Sequence, residues 1–245
     1  MNKDFRIFYM GGQWNIVHVP EKPNGFGVLI LGDTNHFVDE EKSLWIQHLG
    51  RRRIISQLLE EGYTIFYSNL YGTNWGSKKA KDFVKQLYHI VLKQEILNDK
   101  IHILVEGMGG LIALQLMEEM PHQLRSVAMI NPCLDLQNHL EQEKERRFFF
   151  KKLRREIAEA YNFPIEQMDN ELKLLKMEQF KTTIPVKIWQ TTTGFIYDPN
   201  RHCKKFEELR KKEQSPIQLT FHLVEKRYSY GYSICQFFRK YEHRL

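Results

Sequence analysis

No apolar run in this sequence approaches the ~18 to 20 residues a bilayer-spanning helix needs, so no membrane span is expected. Cysteine is scarce. Cys133, Cys203 and Cys235 are odd in number, far apart and outside any CxxC pair, which argues against a disulfide framework or a thiolate zinc site and fits a reducing compartment. A secretory signal is missing too: Met1-Asn2-Lys3-Asp4 carries an acid, and Gly11-Gly12 breaks the apolar stretch behind it. The start therefore lacks the h-region and small-residue cleavage site of a leader, and a cytoplasmic location is expected. The ten histidines are dispersed, and none pairs with Glu, Asp or another His at helical ligand spacing in a convincing loop. No metal and no cofactor are expected. Internal repeats and low-complexity segments are also lacking. Lys and Arg (36) outnumber Asp and Glu (30), for a net charge of +6, but the excess reads as scattered among acidic residues. The densest patches, Arg51-Arg52-Arg53 and Lys151-Lys152-Leu153-Arg154-Arg155, read as solvated helix faces, and no nucleic-acid partner is expected.

What is present is an ordinary globular composition, 42% hydrophobic and 27% charged over 245 residues, a length that suits one domain with one core. Phe5 to Met10 and Trp14 to Val19 flank Gly11-Gly12 as a β-hairpin. Gly27 to Gly32 is a continuous apolar run of the kind a buried parallel strand shows. From there strand and helix alternate: a helix from Leu44 to Leu59 stopped by Gly62, a strand at Tyr63 to Ser68, a helix at Lys78 to Leu97, a strand at Ile101 to Glu106 and a helix at Leu111 to Met120. Later strands fall at Ser126 to Ile130, Val186 to Gln190 and Ile217 to Val224, with helices at His202 to Lys212 and Tyr232 to Tyr241. This alternation predicts an α/β fold, a mostly parallel sheet with helices on both faces, entered through the N-terminal hairpin. The alternation lapses across residues 134–181, which hold two charged helical patterns around Pro164 and read as a helical insertion, a lid, within a single domain 1–245. Phe148, Phe149 and Phe150 in that stretch would line a cavity or dock a partner, but aromatics beside amphipathic helices weigh toward packing.

The informative segment is Val105-Glu106-Gly107-Met108-Gly109-Gly110-Leu111, a strand running through a tight glycine turn into a helix. Such a turn lifts its central residue to the top of the sheet and points the following N–H groups into the crevice. The segment resembles the nucleophile elbow of the α/β-hydrolase family, with Met108-Gly109-Gly110 matching the residues that commonly follow the serine. The resemblance extends over nearly the whole chain in strand order, hairpin entry and the place of the insertion. It implies an oxyanion loop at Leu31-Gly32-Asp33-Thr34-Asn35-His36 and a glycine-rich loop at Tyr71-Gly72-Thr73-Asn74-Trp75-Gly76-Ser77. Gly32, Asp33, Asn35, His36, Trp75, Gly107 and Met108 are thereby binding candidates.

Against that pattern the serine position is Gly107, the first glycine of G-x-S-x-G is Val105, and the acid's place after the seventh strand falls on Gly194. Asp198, four residues on, reads more readily as a turn residue or helix cap. No histidine follows the eighth strand; His222 precedes the place and His243 lies beyond the last helix. A serine hydrolase needs a nucleophile in reach of a base held by a carboxylate, so a pseudoenzyme is expected: a binding or regulatory module taking a protein or small-molecule ligand in the crevice or at the insertion. The alternative is an enzyme of the same fold acting on a small ester-like molecule through Glu106, Asp33, Asn35, His36 or Asp198. For Glu106 a structural partnership with a basic residue weighs more than a catalytic role. Gly107-x-Gly109-Gly110 is no dinucleotide fingerprint, since the third glycine would fall on Ile112 and the turn lies mid-chain.

Overall fold

In the computed structural model, which describes residues 5–168, 177–226 and 229–242, eight strands form one sheet. They are β1 (Phe5–Met10), β2 (Gln13–His18), β3 (Gly27–Leu31), β4 (Thr64–Ser68), β5 (Ile101–Glu106), β6 (Leu124–Ile130), β7 (Val186–Thr191) and β8 (Ile217–His222), in the spatial order β1-β2-β4-β3-β5-β6-β7-β8. β1 pairs antiparallel with β2 and β2 antiparallel with β4; from β4 onward every pairing is parallel.

The central strands are apolar at nearly every position because both of their faces are covered. Successive side chains alternate sides. Leu29, Leu31, Phe66, Ile103, Val105, Val127 and Met129 therefore join one core with α3 (Lys78–Gln94), α4 (Gly109–Glu119) and α7 (Lys205–Lys212). Val28, Ile30, Ile65, Tyr67, Leu104 and Ala128 join the other, with α1 (Leu44–Gln47), α2 (Leu49–Glu60) and α8 (Gly231–Arg239).

The sequence pattern merges α1 and α2 into one helix; the chain divides it at His48. That residue takes an extended conformation (φ −80, ψ 116), and its Nδ1 accepts hydrogen bonds from the Gly50 and Arg51 N–H groups. A side-chain acceptor for otherwise unpartnered first-turn amides is what starts a helix anew. Between β6 and β7 lie α5 (Leu136–Arg146), capped by Asp135, and α6 (Phe150–Tyr161). Leu136, Leu140, Leu153 and Ile157 from these helices build a third core with Trp75, Met108 and Tyr197 over the carboxyl end of the sheet. Among the described residues no helix is long and apolar enough to cross a membrane.

The aromatic run 148–150 is divided by the local backbone. Arg147 ends α5 in the left-handed region (φ 67) and α6 begins at Phe150, so Phe148 and Phe149 fall in the turn and are exposed, while only Phe150 packs against the third core. For the first two, the packing expectation is corrected.

Candidate active-site crevice

β5 runs into Gly107 (φ +53) and directly out into α4. The turn is tight on three sides. A Cβ on Gly109 would lie 2.4 Å from the Leu31 carbonyl oxygen, and one on Gly110 2.4 Å from that of Cys133. Backbone contacts of that kind cannot yield, and they fix glycine at both positions. At Gly107 the neighbour is different: an added Cβ would meet the Asp33 carboxylate at 2.0 to 2.3 Å. Asp33 comes from the loop after β3, which folds back sharply because Gly32 lets the His36 ring lie against its Cα and the His36 N–H donates to the Asp33 carbonyl (2.8 Å). Asp33 Oδ1 accepts the Met108 N–H (2.9 Å) and the Tyr197 hydroxyl (2.8 Å). Both donors are neutral, and burial together with Asp33 pushes the Tyr197 hydroxyl well above its ordinary range, keeping it protonated.

Trp75 forms the opposite wall. Its backbone lies in the left-handed region (φ 44), a strained place for a bulky residue, and its N–H donates to Met108 Sδ (3.2 Å). The indole Nε1 donates to Glu156 of α6 (3.1 Å), and the ring stacks on His139 of α5 at 5.4 Å between centroids. His139, only 3% exposed, also meets the edge of Tyr197 at 4.8 Å, and its Nδ1 has no hydrogen-bond partner among the described residues. A cavity of about 240 Å³ opens between these groups, bordered by Asn35, Trp75, His139, Tyr197 and the carboxylates of Glu143 and Glu156. Arg146 stands 3.6 Å from Glu143 and Lys152 3.6 Å from Glu156, so these two acids are matched by cations.

The structure thus gathers Asp33, Asn35, Trp75, Gly107 and Met108 of the sequence candidates, with Gly32 shaping the loop. Three others lie elsewhere. His36 lies off the cavity wall and its Nε2 is bonded to the Ser68 carbonyl (2.8 Å). Glu106, on the α2 side of β5, is held bidentately by Arg51 at 2.7 and 2.8 Å, the two side chains 3% and 10% exposed. Asp198 accepts the Asn200 N–H (2.8 Å) at the start of the α7 segment, and its own N–H donates to Gln142. Gly194 sits in the loop after β7 at φ +63 with Val224 beside it. His243 and residues 227–228 of the loop after β8 lie outside the described residues. Sequence reasoning passed over His139, Glu143 and Tyr197. Leu136, His139, Leu140 and Glu143 share one face of α5 at i, i+3, i+4, i+7, so two polar residues on an apolar face were the available signal.

Five histidines, His18, His36, His102, His139 and His202, are buried, and burial pulls their pKa values to about 3 or 4 from an ordinary 6.5. The unfolded chain binds protons at these sites that the folded chain refuses. The stability the neutral rings confer is complete above pH 6.5 and is lost as pH falls from there toward about 3. The denaturant midpoint is expected to fall steeply across that window; a midpoint flat to pH 4 would show these rings to be solvated. The three thiols are buried, with pKa values pushed up, to about 12 for Cys203 and Cys235, so they are inert as nucleophiles. Among the described residues no cluster of three or more His, Cys, Asp or Glu could hold a metal.

The sheet order, the elbow and the crevice above it are those of a hydrolase-type α/β protein. The profile of the alpha/beta hydrolase fold matches residues 40–209, and the chain belongs to that family. No curated protein matches it in sequence. Solved structures share the fold at low identity. A lipase/esterase from Lactobacillus plantarum superposes with a TM-score of 0.69 at 11% identity over 98% of both chains. An S-formylglutathione hydrolase from Agrobacterium tumefaciens gives 0.72 at 9% identity, over 98% of this chain and 95% of that one. An acylaminoacyl peptidase from Pyrococcus horikoshii gives 0.72 at 12%, over 100% of this chain and 43% of the other.

Proposed function

We propose that this chain is a non-catalytic α/β-hydrolase-fold protein, a binding or regulatory module whose crevice, covered by helices α5 and α6, takes a small organic ligand. One observation carries the reading: the Asp33 carboxylate stands in the space a side chain at Gly107 would need and accepts the Met108 N–H. Acyl transfer on this fold uses that N–H for the developing oxyanion, and here an anion of the chain itself already holds it. Gly107 at the nucleophile's place, Gly194 at the acid's, and the lack of histidine between residues 223 and 242 support the same reading. Asp33, whose hydrogen-bond donors are both neutral, holds the hydroxyl of Tyr197, which with Trp75 walls the cavity. A neutral or cationic ligand suits that cavity, because its lining already holds the Glu143 and Glu156 carboxylates, and the cations Arg146 and Lys152 are engaged with them.

Gly107→Ser tests this directly. The new hydroxyl would compete with Asp33 for space and find no activated base, so turnover of a p-nitrophenyl ester is expected to stay at the parent's background. Turnover well above it would mean that a base serves the elbow, with His139, the imidazole nearest the cavity, as the first suspect. The second reading, an enzyme with a non-standard site acting on an ester-like substrate, draws on the hydrolases and peptidases that share the fold. Ester turnover by the parent chain that disappears in Asp33→Asn would decide for it.

A further inference from the structure

The excess positive charge is concentrated. Seven of the 36 Lys and Arg residues lie in residues 144–155 against one acid, Glu145, while Glu143 and Glu156 just outside it face Arg146 and Lys152 (3.6 Å each) and leave Lys144, Arg147, Lys151, Arg154 and Arg155 as its surplus. Glu145 is itself bonded to Arg201 from outside the segment (2.8 Å). The segment is the tip of the α5–α6 hairpin, and at its centre Phe148 is 89% and Phe149 64% exposed. Ile196, half exposed, is tied to it through Arg146 (3.4 Å to its carbonyl). An ordinary solvated helix face at residues 151–155 would not place two bare aromatic rings among its cations.

We propose that this tip docks the protein on an anionic phospholipid surface. Burying a phenylalanine ring is favourable in proportion to the apolar area it removes from water, and the fold leaves two such rings in water. Aromatic rings enter the boundary between headgroups and acyl chains, while neighbouring Lys and Arg are drawn to lipid phosphates. The rings project from a turn that joins two helices, and a fluid interface accommodates a projecting tip where a protein partner would need a preformed pocket for each ring. Phe149 and Lys152 also border the crevice cavity, so docking sets its mouth at the lipid surface.

The full chain is mixed with vesicles of phosphatidylcholine plus phosphatidylglycerol, or of phosphatidylcholine alone, and sedimented at low and high salt. Binding is expected only with phosphatidylglycerol and is expected to weaken with salt. Replacing Arg147, Lys151 and Arg155 by Gln should weaken it by about fivefold per residue, and Phe148→Ser by about tenfold, with melting temperatures unchanged because all four side chains are exposed. Sedimentation independent of phosphatidylglycerol, or unmoved by Phe148→Ser, would overturn the proposal. So would a chain that ignores the vesicles but is retained on a polyglutamate column, which would assign the tip to an acidic protein.

Discussion

Glu106→Leu is expected to lower the melting temperature by roughly 10 °C, corresponding to about 3 to 5 kcal/mol for an ion pair broken from one side and to a few degrees per kcal/mol in a chain of this size. The reason is Arg51. Its guanidinium is buried and directed at both carboxylate oxygens; without Glu106 this two-bond pairing is lost where water reaches poorly. The double variant Arg51→Met with Glu106→Leu separates this cause from simple loss of packing. Removing both charges together removes the desolvation cost with the attraction, so the double variant should recover most of the stability lost. A double variant as unstable as the single one would show that the pair's surroundings, not its charge balance, set the cost. Neither variant should alter vesicle binding, since the pair lies away from the hairpin tip.

Gly107→Val should be comparably damaging for two separable reasons. A β-branched residue at φ +53 costs about 1 to 3 kcal/mol in backbone strain alone. Its Cβ also falls 2.0 to 2.3 Å from the Asp33 carboxylate, which must give up its bonds to the Met108 N–H and Tyr197. Chemical denaturation of Gly107→Val against Gly107→Val with Asp33→Gly resolves the two. The second substitution removes the overlap and should return part of the loss, leaving the backbone share. Equal midpoints for the two variants would mean that Asp33 does not fill the elbow, and the proposed non-catalytic reading would lose its main support.

The expected acid sensitivity is consistent with the same core. His102, stacked on Phe238 at 4.4 Å and bonded to Ser126 (2.9 Å), is as deeply placed as the leucines around it. Its protonation in the unfolded chain competes directly with folding.

Much of the architecture was legible in the sequence because it is written locally. The apolar runs at 27–31 and 101–106, the glycines from 107 to 110 and the 3.6-residue period of α3 each depend on neighbours in the chain, and they determined the strand and helix order and the elbow. The hydrolase-type fold followed from them. Even the charge of 144–155 was countable, although the meaning of its phenylalanines was not: whether Phe148 faces a core or water depends on where α5 stops, and Arg147 ends it by adopting a left-handed conformation that no residue preference announces. What only the tertiary structure decided are the meetings of distant segments. Asp33 reaches an elbow 75 residues away, Arg51 reaches Glu106 across 55, and Trp75, His139 and Tyr197 converge from three separate loops and helices. Such contacts carry no periodic or spacing signal, because the sheet, not the chain, brings their residues together.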